Sequence, residues 1–339
     1  MLSLPECYFS TFDNGKLVMP GTKMSVEDIH PDLQQAFMRM PNVSLRSPLP
    51  RIFMKAIMSV SYRAQADDEV ARHTHRFSNF SVRVYQPKGP TAGAGILFIH
   101  GGGYVLGNAK MNDATCNAYV KDLGVTVVSV DYRLAPKHPY PAPLDDCYEA
   151  WRWLVDNAPS YRVDPSRIIV AGQSAGGGLA AALCQRILDE GGLQPVAQLL
   201  YYPMIDDRTA LDKSLTKVRH LAWNNESNFY GWSSYLGSEP GQSIGERAWA
   251  VPSRREDLTG LPPAWIGVGD KDLFYHEDLA YAAQLKRCGV DTDLEVVEGC
   301  PHGFDAVAPD AEISQRFRNS SLRFLRSHIA EKKADPARE

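Results

Sequence analysis

Ser174 lies in the run AGQSAGGG, residues 171–178, where apart from Gln173 no neighbour is larger than alanine. A hydroxyl cleared of bulk in this way can act as a nucleophile if the backbone presents it at a sharp turn. Gly172, Ser174 and Gly176 have the spacing G-x-S-x-G. Glycines two before and two after the serine let other backbone come close, because they lack Cβ. The branched apolar run RIIVA precedes the turn and the helix-like run GGGLAAALC follows it. Strand, turn and helix in that order make a nucleophile elbow, which lifts the hydroxyl above the edge of a sheet. The N–H groups and dipole of the helix N-terminus then face the place where negative charge would appear. The alternative is that the small residues serve only close helix–strand packing; the strand–turn–helix context favours the elbow.

A serine nucleophile needs a base, the base needs an orienting acid, and the tetrahedral oxyanion needs donors. Upstream, the strand-like GILFIH runs into HGGGY, His100–Tyr104. Its glycines allow the main-chain N–H groups of Gly102 and Gly103 to turn into a cleft, and with the N–H of Ala175 they make a candidate oxyanion hole. A merely flexible glycine turn would not call for a histidine and an aromatic at its two ends. Downstream, PPAWIGVG ends in DKDLF, which offers Asp270 and Asp272 as acids. TDLEVV then ends in EGCPHGF, which offers His302 as base; His276, at the start of a helix beside Glu277, is the weaker candidate. Serine, aspartate and histidine, each just past the end of a strand, follow the order expected of α/β hydrolases. Ligands of open α/β sheets bind at that same edge.

These residues need a scaffold that brings distant loops to one place. From about residue 95 short β-like runs alternate with helix-like segments, which predicts an α/β fold with a mostly parallel central sheet flanked by helices. Strands are expected at 96–100, 125–130, 168–171, 197–202, 264–268 and 293–297, several of them continuously apolar as strands buried on both faces are. Helices are expected near 113–123, 144–157, 175–190, 278–288 and 311–332. Two regions break the rhythm. Residues 1–60 read as helices and loops, with 26–40 the best helical stretch. Residues 204–248 are too long for a simple crossover and carry Trp223, Phe229, Tyr230, Trp232 and Tyr235, which suggests a packed, lid-like insertion or simply the insertion's own core.

Composition narrows the function classes. The chain has 339 residues, a formal charge of −4 and a pI near 6.2, which provides no basic face for nucleic acid. No apolar run approaches the roughly 20 residues of a membrane helix. The opening MLSLPECYFSTFDNG lacks a basic start and an apolar core, so a cytoplasmic location is expected. The six cysteines are scattered without a CxxC pair, as reduced structural thiols are. His73 and His75 would share one face of a strand, but no cysteine or acidic partner nearby completes a metal site. Neither metal nor cofactor is required.

HGGGY, SVDYRLAPKHPYPAPLDD, VDPSRIIVAGQSAGGG, LLYYPMIDD, LPPAWIGVGDKDLF and PHGF occur together in this order between about residues 80 and 325. In these blocks the chain closely resembles the hormone-sensitive-lipase-like family of α/β hydrolases, mostly bacterial carboxylesterases. The resemblance implies a triad of Ser174, Asp272 and His302, choosing Asp272 over Asp270, with Gly102, Gly103 and Ala175 as oxyanion donors. It also implies an α/β-hydrolase domain over 61–339, a cap formed by 1–60 together with the inserted 204–248, and an Asp131–Arg133 ion pair bracing the oxyanion loop. A homodimer through a sheet edge is an assembly that relatives often adopt. The implied reaction is hydrolysis of small short- to medium-chain acyl esters through an acyl-enzyme. Amide hydrolysis by the same triad is the alternative, and a non-catalytic receptor on the same fold ranks lower because His302 is present. Gln173, Lys137 and Leu273 depart from residues common in relatives (Asp, Glu or Thr at the first, Glu at the second, Pro at the third), and none removes a catalytic group.

Overall fold

The apolar runs assemble, in a computed structural model that describes residues 12–13, 16–17, 24–40, 44–45, 67–218, 220–243, 245 and 248–330, into one large sheet covered on both faces. In chain order the strands are β1 (Phe12–Asp13), β2 (Lys16–Leu17), β3 (Val70–Arg76), β4 (Ser81–Pro87), β5 (Gly95–Ile99), β6 (Thr126–Asp131), β7 (Ile168–Gln173), β8 (Ala197–Tyr201), β9 (Ala264–Gly269) and β10 (Thr292–Val297). The helices are α1 (Pro31–Met38), α2 (Asp113–Leu123), α3 (Ala142–Asn157), α4 (Ala175–Glu190), α5 (Lys213–Val218), α6 (Asn225–Leu236), α7 (Tyr275–Arg287), α8 (Phe304–Val307) and α9 (Glu312–Ile329). β1 and β2 form a small antiparallel pair of their own.

The main sheet has the order β10-β9-β8-β7-β5-β6-β4-β3. From β10 to β6 every pairing is parallel, while β4 runs against both β6 and β3. Alternation along each strand divides the core. Leu97 and Ile99 of β5 face α3 and α4, whereas Ile96 and Phe98 face α2 and join a layer with α1 and α9. All five residues of β5 are buried, which is why the run is apolar throughout.

The strand and helix expectations from residue 95 onward hold to within a few residues. The expected helix over 26–40 is instead a short 3-10 turn at Val26–Asp28 followed by α1. Pro31 lacks the N–H a continuing helix would need, so it opens a new helix at its first position, with the His30 ring capping Asp32 N. β3 and β4 precede the strands expected from apolar runs, although His73 and His75 are expected to share one strand face. β3 is an edge strand buried at only one position, so it carries little apolar pattern. His73 and His75 do lie on it, stacked on Tyr161 and Trp153.

Most of 1–60 lies outside the described residues. Its described parts reach both the insertion and the loop before His302: Met24 N donates to Val218 O, Leu45 N to Ser227 Oγ, and His30 N to Gly299 O. Within the insertion Trp232 and Tyr235 are buried against Tyr104. Five cysteines are described and all are free thiols, four of them buried; Cys7 lies outside the described residues. No helix among the described residues is long and apolar enough to cross a membrane.

Candidate active site

β7 enters a turn at Gln173 and α4 leaves it at Ala175, with Ser174 between them at φ 55° and ψ −123°. A non-glycine residue at positive φ is strained and persists only where its surroundings fix it. Here Ser174 N donates to Tyr201 O, and Ser174 O accepts from Gly178 N and Met204 N. A Cβ on Gly172 would lie 2.1 Å from Gly176 O, and one on Gly176 would lie 2.2 Å from Ile99 O. Both elbow glycines are therefore required by close backbone approach. A serine at a helix N-cap ordinarily spends its hydroxyl on the first-turn N–H groups. Ser174 makes no such bond.

Its hydroxyl is engaged elsewhere. His302 Nε2 lies 2.9 Å from Ser174 Oγ, and His302 Nδ1 lies 2.8 Å from Asp272 Oδ2. The carboxylate can only accept, so Nδ1 carries the proton and Nε2 presents a lone pair to the hydroxyl. Asp272 Oδ1 accepts from Phe274 N at 2.9 Å, which fixes the carboxylate plane. The Asp272 side chain is wholly shielded and that of His302 is 10% exposed, so this chain of bonds is sheltered while the imidazole keeps an opening to a ligand. Tyr202 and Phe274 meet the His302 ring edge-on at 4.8 and 5.1 Å. Tyr202 also donates to Asp305 Oδ1 at 2.8 Å, tying α8 and the histidine loop to the end of β8.

The HGGGY loop leaves β5, which pairs directly with β7, so it arrives beside the elbow. Gly102 has φ +118°, and a Cβ there would lie 2.2 Å from Leu106 O. The N–H groups of Val105 and Leu106 close the turn onto Gly102 O. Tyr104 anchors the far side: its hydroxyl donates to Met204 O at 2.9 Å and its ring stacks on Tyr235 at 4.1 Å. His100 is fully buried, and burial pushes its pKa below the usual 6.5. The neutral ring donates from Nδ1 to Gly101 O and stacks on Tyr132, whose hydroxyl donates to His100 O. The N–H groups of Gly102, Gly103 and Ala175 make no main-chain bond among the described residues.

The structure thus brings Ser174, His302, Asp272, Gly102, Gly103 and Ala175 to one edge of the sheet. Asp270 stands apart and accepts from Gly299 N at 2.6 Å, which shapes the histidine loop from below. His276 sits in the first turn of α7 against Tyr275. The Asp131–Arg133 pair is not formed. β6 ends at Asp131, so the two side chains no longer share a strand face. Arg133 turns to Asp146 of α3 through both its backbone N–H and its guanidinium, at 2.8 and 2.7 Å. Asp131 instead accepts from Ala109 N, just past the HGGGY loop, at 3.1 Å.

Three contacts escaped the sequence reading. Gln173 accepts from Asn112 Nδ2 at 2.7 Å, which links the elbow to the segment after the HGGGY loop. Glu277 takes the N–H groups of Ile205 and Asp206 and so pins the start of the insertion. Trp223 lies directly on Gly103. Gln173 was visible as a departure and Trp223 as one aromatic among several; Asn112 carries no local signal.

A strained serine elbow, a glycine loop on the neighbouring strand and an imidazole–carboxylate pair, all at the C-terminal edge of a mostly parallel sheet, are the architecture of an α/β hydrolase. Residues 96–306 match the family described as the alpha/beta hydrolase fold. The chain belongs to that family, in the hormone-sensitive-lipase-like group of carboxylesterases. Esterase LipI of Mycobacterium tuberculosis is 31% identical over 313 residues, covering 81% of this chain and 93% of LipI. Carboxylesterase NlhH of the same species is 37% identical over 239 residues, covering 67% of this chain and 72% of NlhH. The crystal structure of esterase LipW from Mycobacterium marinum has a TM-score of 0.81 at 32% identity, covering 91% of this chain and 98% of that one.

Proposed function

We propose that this carboxylic ester hydrolase works through Ser174 as nucleophile, His302 as general base and acid, and Asp272 as the group that orients the imidazole. His302 takes the Ser174 proton as Oγ adds to the ester carbonyl. Asp272 holds the tautomer and stabilises the imidazolium that results. The N–H groups of Gly102, Gly103 and Ala175 receive the oxyanion, and a single donor of this kind is worth about 3 kcal/mol in comparable sites. His302 then protonates the departing alcohol, leaving Ser174 acylated, and water repeats the cycle to release the acid. No metal or cofactor enters any step.

The observation that carries this reading is the position of His302, bridging Ser174 Oγ at 2.9 Å and Asp272 Oδ2 at 2.8 Å. It is supported by a nucleophile strained at positive φ and left uncommitted to helix capping. The residues between 204 and 248, with the N-terminal segment, serve as a cap. Short- to medium-chain acyl esters are the substrates, and the protein works in the cytoplasm. Purified Ser174→Ala should lose hydrolysis of p-nitrophenyl butyrate by three orders of magnitude or more with an unchanged circular dichroism spectrum. Retention of wild-type turnover would overturn the reading.

A further inference from the structure

Trp223 is the aromatic of the insertion that lies against the reaction centre. A Cβ placed on Gly103 would fall 2.1 Å from Trp223 Cη2 and 2.6 Å from Cζ2, so the benzo edge of the indole occupies the space a side chain there would take. The indole centroid is also 6.5 Å from that of His302. The ring therefore borders both the loop that offers oxyanion donors and the imidazole that moves the proton.

Its placement is held at some energetic cost. Trp223 N donates to Leu221 O at 2.7 Å across a three-residue turn, with Ala222 at φ 61°. Turns of this kind with positive φ are rare and strained, and strain persists where the surroundings impose it, often at functional sites. The indole Nε1 is buried with no hydrogen-bond partner among the described residues. Asn224, the next residue, caps α6 by accepting from Ser227 N at 3.0 Å, so the turn is locked to the helix that packs on the oxyanion loop. Gly231 of α6 completes the seal, since a Cβ there would meet Gly103 O at 2.8 Å.

We propose that Trp223 is a specificity-determining residue that closes the acyl side of the site and biases the enzyme toward the short end of its acyl range, acetyl to butyryl. The inference rests on the hydrolase reading given above. With the carbonyl oxygen of the ester at the N–H groups of Gly102 and Gly103 and the carbonyl carbon at Ser174 Oγ, an acyl chain leaving the carbonyl beside Gly103 runs into the indole within a few methylenes.

The test is a p-nitrophenyl ester series from acetate to octanoate, run on the wild type, Trp223→Ala and Trp223→Phe, with kcat/KM for each. Truncation should raise the octanoate-to-acetate ratio of kcat/KM by tenfold or more, the discrimination that a single methylene can command in a fitted apolar pocket. Trp223→Phe should move the ratio less and in the same direction. A purely structural tryptophan would lower both rates together, and a ratio within twofold of wild type in both variants overturns the inference. Should Trp223→Ala not fold, the same ratio in Trp223→Phe decides. This outcome is separate from the Ser174→Ala test, since a silent ratio in an enzyme that still depends on Ser174 removes only the role of Trp223.

Discussion

Asp278 should make the native protein less stable as pH rises, and Asp278→Asn should remove that dependence. The residue lies in the first turn of α7, fully buried, with no hydrogen-bond partner on either carboxyl oxygen among the described residues. Burial is the main cause that lifts its pKa well above the usual 3.8, and the carboxyl groups of Glu277 and Asp272 add to it. The folded protein therefore keeps a proton that the unfolded chain has already released. The stability tied to this group is whole below about pH 3.8 and is lost as pH climbs toward the folded value. One proton of difference is worth about 1.4 kcal/mol per pH unit. Asparagine has nearly the same shape and does not titrate, so the variant escapes the loss. Glu277, also raised by burial, is present in both proteins and largely cancels in the comparison.

The assay is urea unfolding of both proteins at half-unit steps from pH 5 to 8. The variant should gain on the wild type by about 1.4 kcal/mol for each unit until the native carboxyl itself ionises. Infrared spectra on the acid side of the native carboxyl's ionisation should show a protonated carboxyl band that the variant has lost. A stability difference that stays flat from pH 5 to 7 refutes the reasoning, because it would mean that Asp278 is ionised in both states.

Two further outcomes follow from the same geometry. Asp272→Asn keeps the shape of the acid but can donate to His302 Nδ1, which reverses the tautomer; kcat for p-nitrophenyl butyrate should fall by about 10⁴ with the fold intact by circular dichroism. His220 works in the opposite sense to Asp278: burial lowers its pKa from 6.5 to about 4, so the stability it contributes is whole above pH 6.5 and is lost as pH falls through that window. The loss amounts to about 3 kcal/mol over the full window, and urea midpoints of His220→Gln should fall less steeply than wild type between pH 7 and 4.5.

The parts of this protein legible in its sequence are those whose physics is local. β5 and β7 could be read because burial on both faces demands continuous apolar runs, and every residue of β5 is buried. The elbow could be read because a Cβ at residue 172 or 176 would strike backbone, which leaves glycine as the only option. His302 stood out at the end of a strand between Pro301 and Gly303, in a loop with no other base. What needed tertiary knowledge stayed hidden. Asp270 and Asp272 both follow β9, and position alone could not assign one to His302 and the other to Gly299 N. The partner of Arg133 is set by where α3 begins and not by the family resemblance that paired it with Asp131. Trp223 shows the boundary most sharply. Its segment is visibly aromatic, yet which ring would touch Gly103 depends on a strained turn at Ala222 that no residue preference announces. The Ser174–His302–Asp272 geometry rests on loops constrained by backbone contact, while the selectivity proposed for Trp223 rests on an insertion constrained by packing. The reaction type is therefore readable from residue order, and the contact of Trp223 with Gly103 becomes readable only once the insertion is folded against that loop.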